Sequence, residues 1–201
     1  MAKRRSFEDQ FETELRWPRA GDQAFVASEN GLENALIVEN AQSRLILMLE
    51  GYKKAGDLMI EQTVENPGDR DFLVFPVIFN YRQFIELSLK YLIASYGPTV
   101  GVNQNWHSHN LIKLWELFLI VLEGYGTNDP DEVDPVVQGI VVEFSKIDPG
   151  SYSYRYPVDR HGNPIPVAQT SLHLPTLKDV ISGVAGYFTG CDGYFDSLKS
   201  A

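Results

Sequence analysis

Apolar residues recur at spacings of three and four along most of the chain, a pattern typical of helices that pack on one another. The first helix is predicted to begin near Asn30, because Asn30 and Glu33 have the spacing of a capping box. Its apolar seam comprises Val38, Ala41, Leu45, Met48, Tyr52, Ala55 and Met59. The sequence Asn-Pro-Gly-Asp at residues 66–69 is a strong turn signal. We therefore expect an antiparallel helical hairpin, with the second helix over residues 71–95.

Three further helices are predicted in the second half of the chain. The third is expected to open at Ser108, as its N-cap, and to run to Glu123. The fourth has two candidate starts, residues 129–130 and residues 134–135, which both read Asp-Pro. The last is expected to start near Pro175 and to carry an apolar seam toward the core.

The pattern changes to a period of two between the fourth and the last helix. Tyrosines alternate with serine and arginine over residues 151–156, residues 160–163 have turn composition, and residues 167–174 are extended again. The sequence thus predicts an all-α fold, an antiparallel bundle of about five helices with a small β-hairpin inserted before the last helix. We expect an N-terminal arm over residues 1–30 and a single helical domain over residues 31–201.

The second helix carries a stripe of charges in otherwise apolar surroundings. Residues 79–93 are apolar almost all round, yet Arg82, Glu86 and Lys90 follow one another at four-residue intervals and share one face. A helix of this kind is usually buried, and buried charges are tolerated only when they are paired. The alternative is an intrahelical ladder on a solvated face, which would stabilise the helix by roughly a few tenths of a kcal/mol per pair.

Composition narrows the class of protein. The chain has 201 residues and 44% hydrophobic content, which suits one domain with a core of its own. A formal net charge of -10 argues against broad duplex binding, which relies on many cations at phosphates, and leaves room for a basic protein partner. No apolar stretch has membrane-spanning length, so no membrane is expected, and the single cysteine, Cys191, fits a reducing compartment. The expected location is cytoplasmic.

The sequence contains none of the motifs that identify phosphate loops, zinc proteases, nucleophile elbows or dinucleotide folds. His107 and His109 form a His-x-His pair without evident further ligands, so no metal and no cofactor are expected. His109 is instead expected to bond a neighbouring carboxylate, with Glu86 as the candidate. Arg155 and His161 stand five residues apart, and such a pair could hold a phosphate and remove a 2′-hydroxyl proton.

Three segments resemble the HEPN superfamily, helical nucleotide-binding domains of higher eukaryotes and prokaryotes. The likeness is carried by FIELSLKYLI at residues 84–93, by His-x-Leu-x-x-Leu-Trp at residues 109–115 and by Tyr-Arg-Tyr-Pro at residues 154–157, and it spans residues 35–198. The resemblance implies an all-α bundle that often dimerises, so a homodimer is expected. It also implies nucleotide or RNA as a ligand and, for some members, RNA cleavage in toxin–antitoxin or phage-defence systems.

By resemblance, Arg155 and His161 would be the catalytic pair of a metal-independent ribonuclease. In the family that pair stands at a helix start, often with a polar residue after the arginine, whereas here Tyr156 follows in a segment predicted to be extended. This departure from the family pattern disfavours catalysis, and RNA cleavage by the pair stays open as a third hypothesis. The candidate polar cluster, for ligand binding or for structure, comprises Arg82, Glu86, Lys90, His109, Arg155 and Tyr156. Two functions stay open, a cleft for nucleotide or RNA and a structural clasp inside a non-catalytic protein–protein interaction module.

Overall fold

The computed structural model describes residues 16–126, 132–151, 153–167 and 169–199. Five α-helices lie in these ranges: α1 (Ala41–Glu65), α2 (Arg70–Tyr96), α3 (Leu111–Gly124), α4 (Val133–Ile147) and α5 (Leu174–Lys199). The chain divides into two compact units, Met1–Ile37 and Val38–Ala201, and all five α-helices belong to the second. The predicted all-α class is confirmed, and the ends of α2 agree with the prediction to within one residue.

The start of the first helix was predicted ten residues too early. Asn30 does act as a cap, but only of the single 3-10 turn Gly31–Glu33. Helix α1 begins at Ala41, where the Asn40 side chain accepts a hydrogen bond from the Ser43 amide at 2.9 Å. Asparagine side chains favour caps and turns over helix interiors because they bond to nearby backbone groups. Asn30 therefore caps an isolated turn, and Asn40 caps the start of the long helix α1.

The other helix starts follow the same chemistry. Helix α3 begins at Leu111, and its cap is Asn110 rather than Ser108, since the Asn110 side chain accepts the Lys113 amide at 3.0 Å. Residues 134–135 lie in the first turn of α4, where a proline is tolerated. The alternative start at residues 129–130 lies outside the described residues.

The predicted β-hairpin is not found in the described part of the chain. One antiparallel bridge, between Val158 and Pro164, stands in its place, with the Asp159 amide bonding the Asn163 carbonyl at 2.8 Å. The segment contains Pro157, Pro164 and Pro166, which have no N–H to donate to a ladder. The alternating tyrosines indicated extended backbone, but the prolines stop the pairing at a single bridge. Tyr152 and Ala168, within the predicted hairpin, lie outside the described residues.

Helix α2 is the centre of the second unit. It packs against α1, α3 and α5, and α4 packs against α3. A helix that is apolar all round has to be covered on every side, which explains this position. Its buried residues are Val77, Ile78, Asn80, Tyr81, Arg82, Phe84, Ile85, Glu86, Ser88, Leu89, Lys90, Leu92, Ile93 and Tyr96. No helix among the described residues combines the length and apolar character needed to cross a membrane.

Helices α1 and α2 approach closely at Gly56. A Cβ atom at Gly56 would stand 2.5 Å from the Cε1 atom of Tyr81, whose ring is fully buried. The Tyr81 hydroxyl donates to the Asp57 carboxylate at 2.8 Å, and Lys53 donates to the same carboxylate at 2.8 Å. The ring is thus held at both ends, by the core and by Asp57, and cannot move aside.

We predict that Gly56→Ala destabilises the protein by about 1–3 kcal/mol, because the added methyl group overpacks a rigid aromatic contact. The matched control is Gly51→Ala in the same helix, where a Cβ would have no neighbour within 4 Å. That control should stabilise by up to about 1 kcal/mol through helix propensity. Urea unfolding of both variants measures the difference. Equal free energies of unfolding for the two would contradict the close approach.

Candidate functional site

The charged stripe of α2 lies inside the core rather than on a solvated face. Arg82, Glu86 and Lys90 are 0%, 1% and 3% exposed. Their four-residue spacing does form a ladder along the helix, as the sequence indicated. Because the ladder is buried, each of its charges needs a partner in the protein.

Arg82 uses its planar guanidinium to join three parts of the fold. Its Nη1 donates to Glu86 Oε2 at 2.9 Å, its Nη2 to the His109 carbonyl at 2.7 Å, and its Nε to the Asp148 carbonyl at 3.0 Å. The Asp148 carboxylate also stands 3.6 Å from Nε. The side chain thereby fixes the segment before α3 and the end of α4 against α2. Arginine suits this role because its rigid fork of donors stays charged at any physiological pH.

The Glu86 carboxylate accepts hydrogen bonds from three side chains. Oε2 accepts from Arg82, and Oε1 accepts from Lys90 Nζ at 2.9 Å and stands 2.8 Å from His109 Nδ1. Burial by itself would raise the pKa of Glu86, but the bond and charge of Lys90, with the bonds from His109 and Arg82, hold that pKa below its ordinary value. Lys90 also donates to the Trp106 carbonyl at 3.1 Å, which pins the loop before α3.

The buried charges balance. Arg82 and Lys90 supply two cations, and Glu86 and Asp148 supply two carboxylates, all four at most 3% exposed. We call these four residues the inner network. Its cations are committed to carboxylates and carbonyls, so no cation of the network faces a cleft. His109 bonds to the inner network from its edge, because its side chain is 61% exposed.

Asp148 is the functional residue that sequence reasoning missed. Asp148 is followed by Pro149 and Gly150, which mark a change of pattern, and nothing in the sequence singles out its carboxylate. In the structure, the Asp148 carboxylate also accepts the Ser153 amide at 3.0 Å, and Gln83 of α2 donates to the Ser151 hydroxyl at 2.7 Å. The available signal was the surplus of positive charge in the stripe, which has two cations for one acid and therefore requires a second buried acid.

Arg155 and Tyr156 lie apart from the inner network. Arg155 is exposed, and its guanidinium carbon stands 5.5 Å from the ring centre of Phe79 and 5.7 Å from that of Tyr156. Both distances suit cation–π attraction. Across the described residues, Arg155 forms no ion pair. The prediction that Arg155 joins Glu86 and Lys90 is therefore not met by any hydrogen bond or ion pair of the described chain.

A hollow beside Arg155 has a volume of about 360 Å³. We call it the Arg155 hollow, and its walls are Phe75, Ser153, Tyr154, Arg155, Tyr156, Pro157, Ile165 and Val167. Two of its rings, those of Phe75 and Tyr154, are 6.2 Å apart. The Arg155 hollow therefore combines aromatic and apolar walls with a guanidinium that forms no ion pair in the described part of the chain.

His161 lies in the exposed turn that Asp159 organises. The Asp159 carboxylate accepts the His161 amide at 2.8 Å, and the ring Nε2 accepts a hydrogen bond from Arg160 Nε at 3.0 Å. Within the ranges described, neither a hydrogen bond nor an ion pair connects His161 with Arg155. The lone pair that a general base would use is engaged by the neighbouring arginine.

Two other kinds of site, a metal site and a reactive thiol, are not supported by the described residues. No group of three or more histidine, cysteine or acidic side chains among the described residues could hold a metal ion. Burial raises the pKa of the Cys191 thiol to about 11, so at neutral pH it stays protonated and is a poor nucleophile.

Comparison with known proteins found no matching family model, no matching curated protein and no matching solved structure. The resemblance to the HEPN superfamily therefore stays a prediction that rests on the three quoted segments.

We predict that Glu86→Gln lowers the free energy of unfolding by about 3–5 kcal/mol at neutral pH, because it leaves two buried cations with one carboxylate. The matched control is Glu116→Gln, at an exposed position of α3, which should change the free energy of unfolding by less than about 0.5 kcal/mol. The pKa of Glu86 is lower in the folded protein than in the unfolded chain, where it is about 4.3. Its contribution to the free energy of unfolding is therefore complete above the pKa of the unfolded state and is lost as pH falls through the pKa of the folded state.

Urea unfolding of wild type and both variants between pH 7 and pH 3 measures this. The gap between wild type and Glu86→Gln should narrow on acidification. A Glu86→Gln variant as stable as Glu116→Gln at neutral pH would show that the inner network contributes nothing.

Proposed function

We propose that this protein is a HEPN-like helical binding module, an antiparallel bundle that assembles as a homodimer and acts without catalysis. The observation that carries the proposal is the closed state of the inner network. Arg82, Glu86 and Lys90, which the sequence offered as ligand contacts, are buried and join Asp148 in a set of two cations and two carboxylates that pair with one another. They support a structural clasp, and they leave binding to the outer surface.

The absence of catalysis is supported by the surroundings of His161, the histidine of the predicted catalytic pair. General acid–base catalysis needs a titratable group within hydrogen-bond reach of the reacting proton. The His161 Nε2 atom already accepts a hydrogen bond from Arg160. Among the described residues, no hydrogen bond joins the His161 ring to the Arg155 guanidinium.

The proposed homodimer is supported by apolar side chains on the first unit. Phe25, Leu32, Leu36 and Ile37 are between 86% and 101% exposed. Large apolar side chains left exposed close together in sequence are candidates for an interaction site. The HEPN resemblance also implies dimerisation, and a second copy supplies the same apolar surface in return.

We expect the wild type to sediment as a dimer at micromolar concentration, and Leu32→Glu/Leu36→Glu to sediment as a monomer, because burying two new carboxylates would oppose association. Val136→Glu, at an exposed apolar position of α4, is the matched control and should stay dimeric. Sedimentation velocity measures all three. A monomeric wild type, or a dimeric double variant, would contradict the proposed assembly.

A second candidate function, the binding of nucleotide or RNA, is favoured by the Arg155 hollow. The guanidinium lies near the rings of Phe79 and Tyr156, forms no ion pair with an acid of the described chain and is exposed. Arginine binds phosphate in a bidentate manner, and aromatic rings stack on bases. Of the predicted ligand contacts, Lys90 is buried, which leaves Arg155 and Tyr156 as the candidates on the surface.

We expect Arg155→Ala to weaken binding of ATP or of a short single-stranded RNA at least tenfold. The substitution removes a charge-assisted hydrogen bond that contributes about 1.5–3 kcal/mol to the binding free energy. Arg160→Ala, at an exposed arginine of the same segment, should leave the affinity unchanged. Calorimetry measures both, and the RNA should be recovered uncut. No binding by wild type, or equal loss in both variants, would reject this candidate. Cleavage that disappears in His161→Ala would instead support the ribonuclease hypothesis.

A further inference from the structure

A second, apolar cavity lies where α1, α2 and α5 meet. Its volume is about 220 Å³. The apolar and aromatic part of its wall comprises Ile46, Leu49, Phe84, Tyr91, Leu92, Ala185 and Phe188. A cavity of roughly 150 Å³ with such walls can hold benzene, so this one has room for a six-membered ring with a short chain. Neither the inner network nor the Arg155 hollow contributes to it.

One buried hydroxyl in this wall has no partner. Ser88 is 3% exposed, lines the cavity, and its Oγ makes no hydrogen bond with any described residue. A serine inside a helix usually bonds the carbonyl four residues earlier, as Ser182 does with Lys178 in α5 at 2.9 Å. An unsatisfied buried hydroxyl points to a polar group that is supplied from outside the chain.

Two acids line the cavity, Glu50 from α1 and Asp192 from α5. Asp192 accepts the Tyr96 hydroxyl at 2.6 Å, yet neither carboxylate forms an ion pair with a cation of the described chain. The two acids therefore give the cavity a negative potential that a bound cation would neutralise, in the low-dielectric surroundings of the apolar wall.

We propose that this cavity binds a small primary ammonium compound with an apolar body, of the arylalkylamine class. The apolar body fills the space between Leu49, Phe84 and Phe188. The ammonium group has three N–H donors, and the Ser88 hydroxyl, Glu50 and Asp192 are three acceptors. A neutral analogue would leave the carboxylates unpaired, and an anionic analogue would be repelled. This site is independent of the proposed function, because it shares no residue with the Arg155 hollow.

The test uses three matched probes on the full chain at pH 7: 2-phenylethylamine, 2-phenylethanol and 3-phenylpropionate. Calorimetry or ligand-observed NMR should show the amine binding at least tenfold more tightly than the alcohol and the carboxylate not binding. Glu50→Gln/Asp192→Asn should reduce the affinity for the amine to that of the alcohol and leave the alcohol unchanged. Glu123→Gln, at an exposed acid of α3, is the control and should keep the preference.

Two further variants test the cavity itself. Ser88→Ala should weaken binding of the amine several-fold without lowering the melting temperature, because it removes a hydroxyl that has no hydrogen-bond partner among the described residues. Ala185→Phe, which fills the space from the α5 side, should abolish binding of both amine and alcohol. The proposal is overturned if wild type binds no amine, if the three probes bind alike, or if the double-charge variant keeps its preference.

Discussion

The Glu86 carboxylate accepts hydrogen bonds inside the core from Arg82 and Lys90 on its own helix and pairs with His109 from the segment before α3. A buried carboxylate is tolerated only when its charge is compensated, and two cations one turn away on either side provide that compensation. Since α2 contacts α1, α3 and α5, a charge placed at its middle cannot turn to solvent. The helices packed against α2 therefore enclose the Glu86 carboxylate.

Arg82 connects the Glu86 carboxylate with distant parts of the chain. It bonds the carbonyls of His109 and Asp148, so the segment before α3 and the end of α4 are held by the same guanidinium that neutralises Glu86. An apolar core of equal volume could be as stable, but it would not dictate which carbonyls meet α2. Removal of one member of the inner network is expected to be costly because it leaves a buried charge without its partner.

The parts of the fold that the sequence predicts best are those governed by periodicity. Helix α2 and the pairing of Arg82, Glu86 and Lys90 follow from apolar spacing and from the need to compensate buried charge. The start of α1 was missed because Asn30 and Asn40 both have the chemistry of a cap, and only tertiary packing selects the second. The position of Arg155 was missed for a related reason. An arginine can meet an acid or an aromatic ring, and the sequence does not say that Phe79 of α2 faces it.

The charges of α2 are paired with one another and with Asp148 inside the core, whereas Arg155 lies on the surface. The claim that Glu86 is ionised and fully compensated in the core is open to direct measurement. The carboxyl carbon-13 shift of Glu86, followed by NMR as pH is lowered, reports its folded pKa. The account predicts a pKa below the ordinary value of about 4.3, set by Lys90, His109 and Arg82 against burial. A Glu86 pKa at or above that value would contradict it.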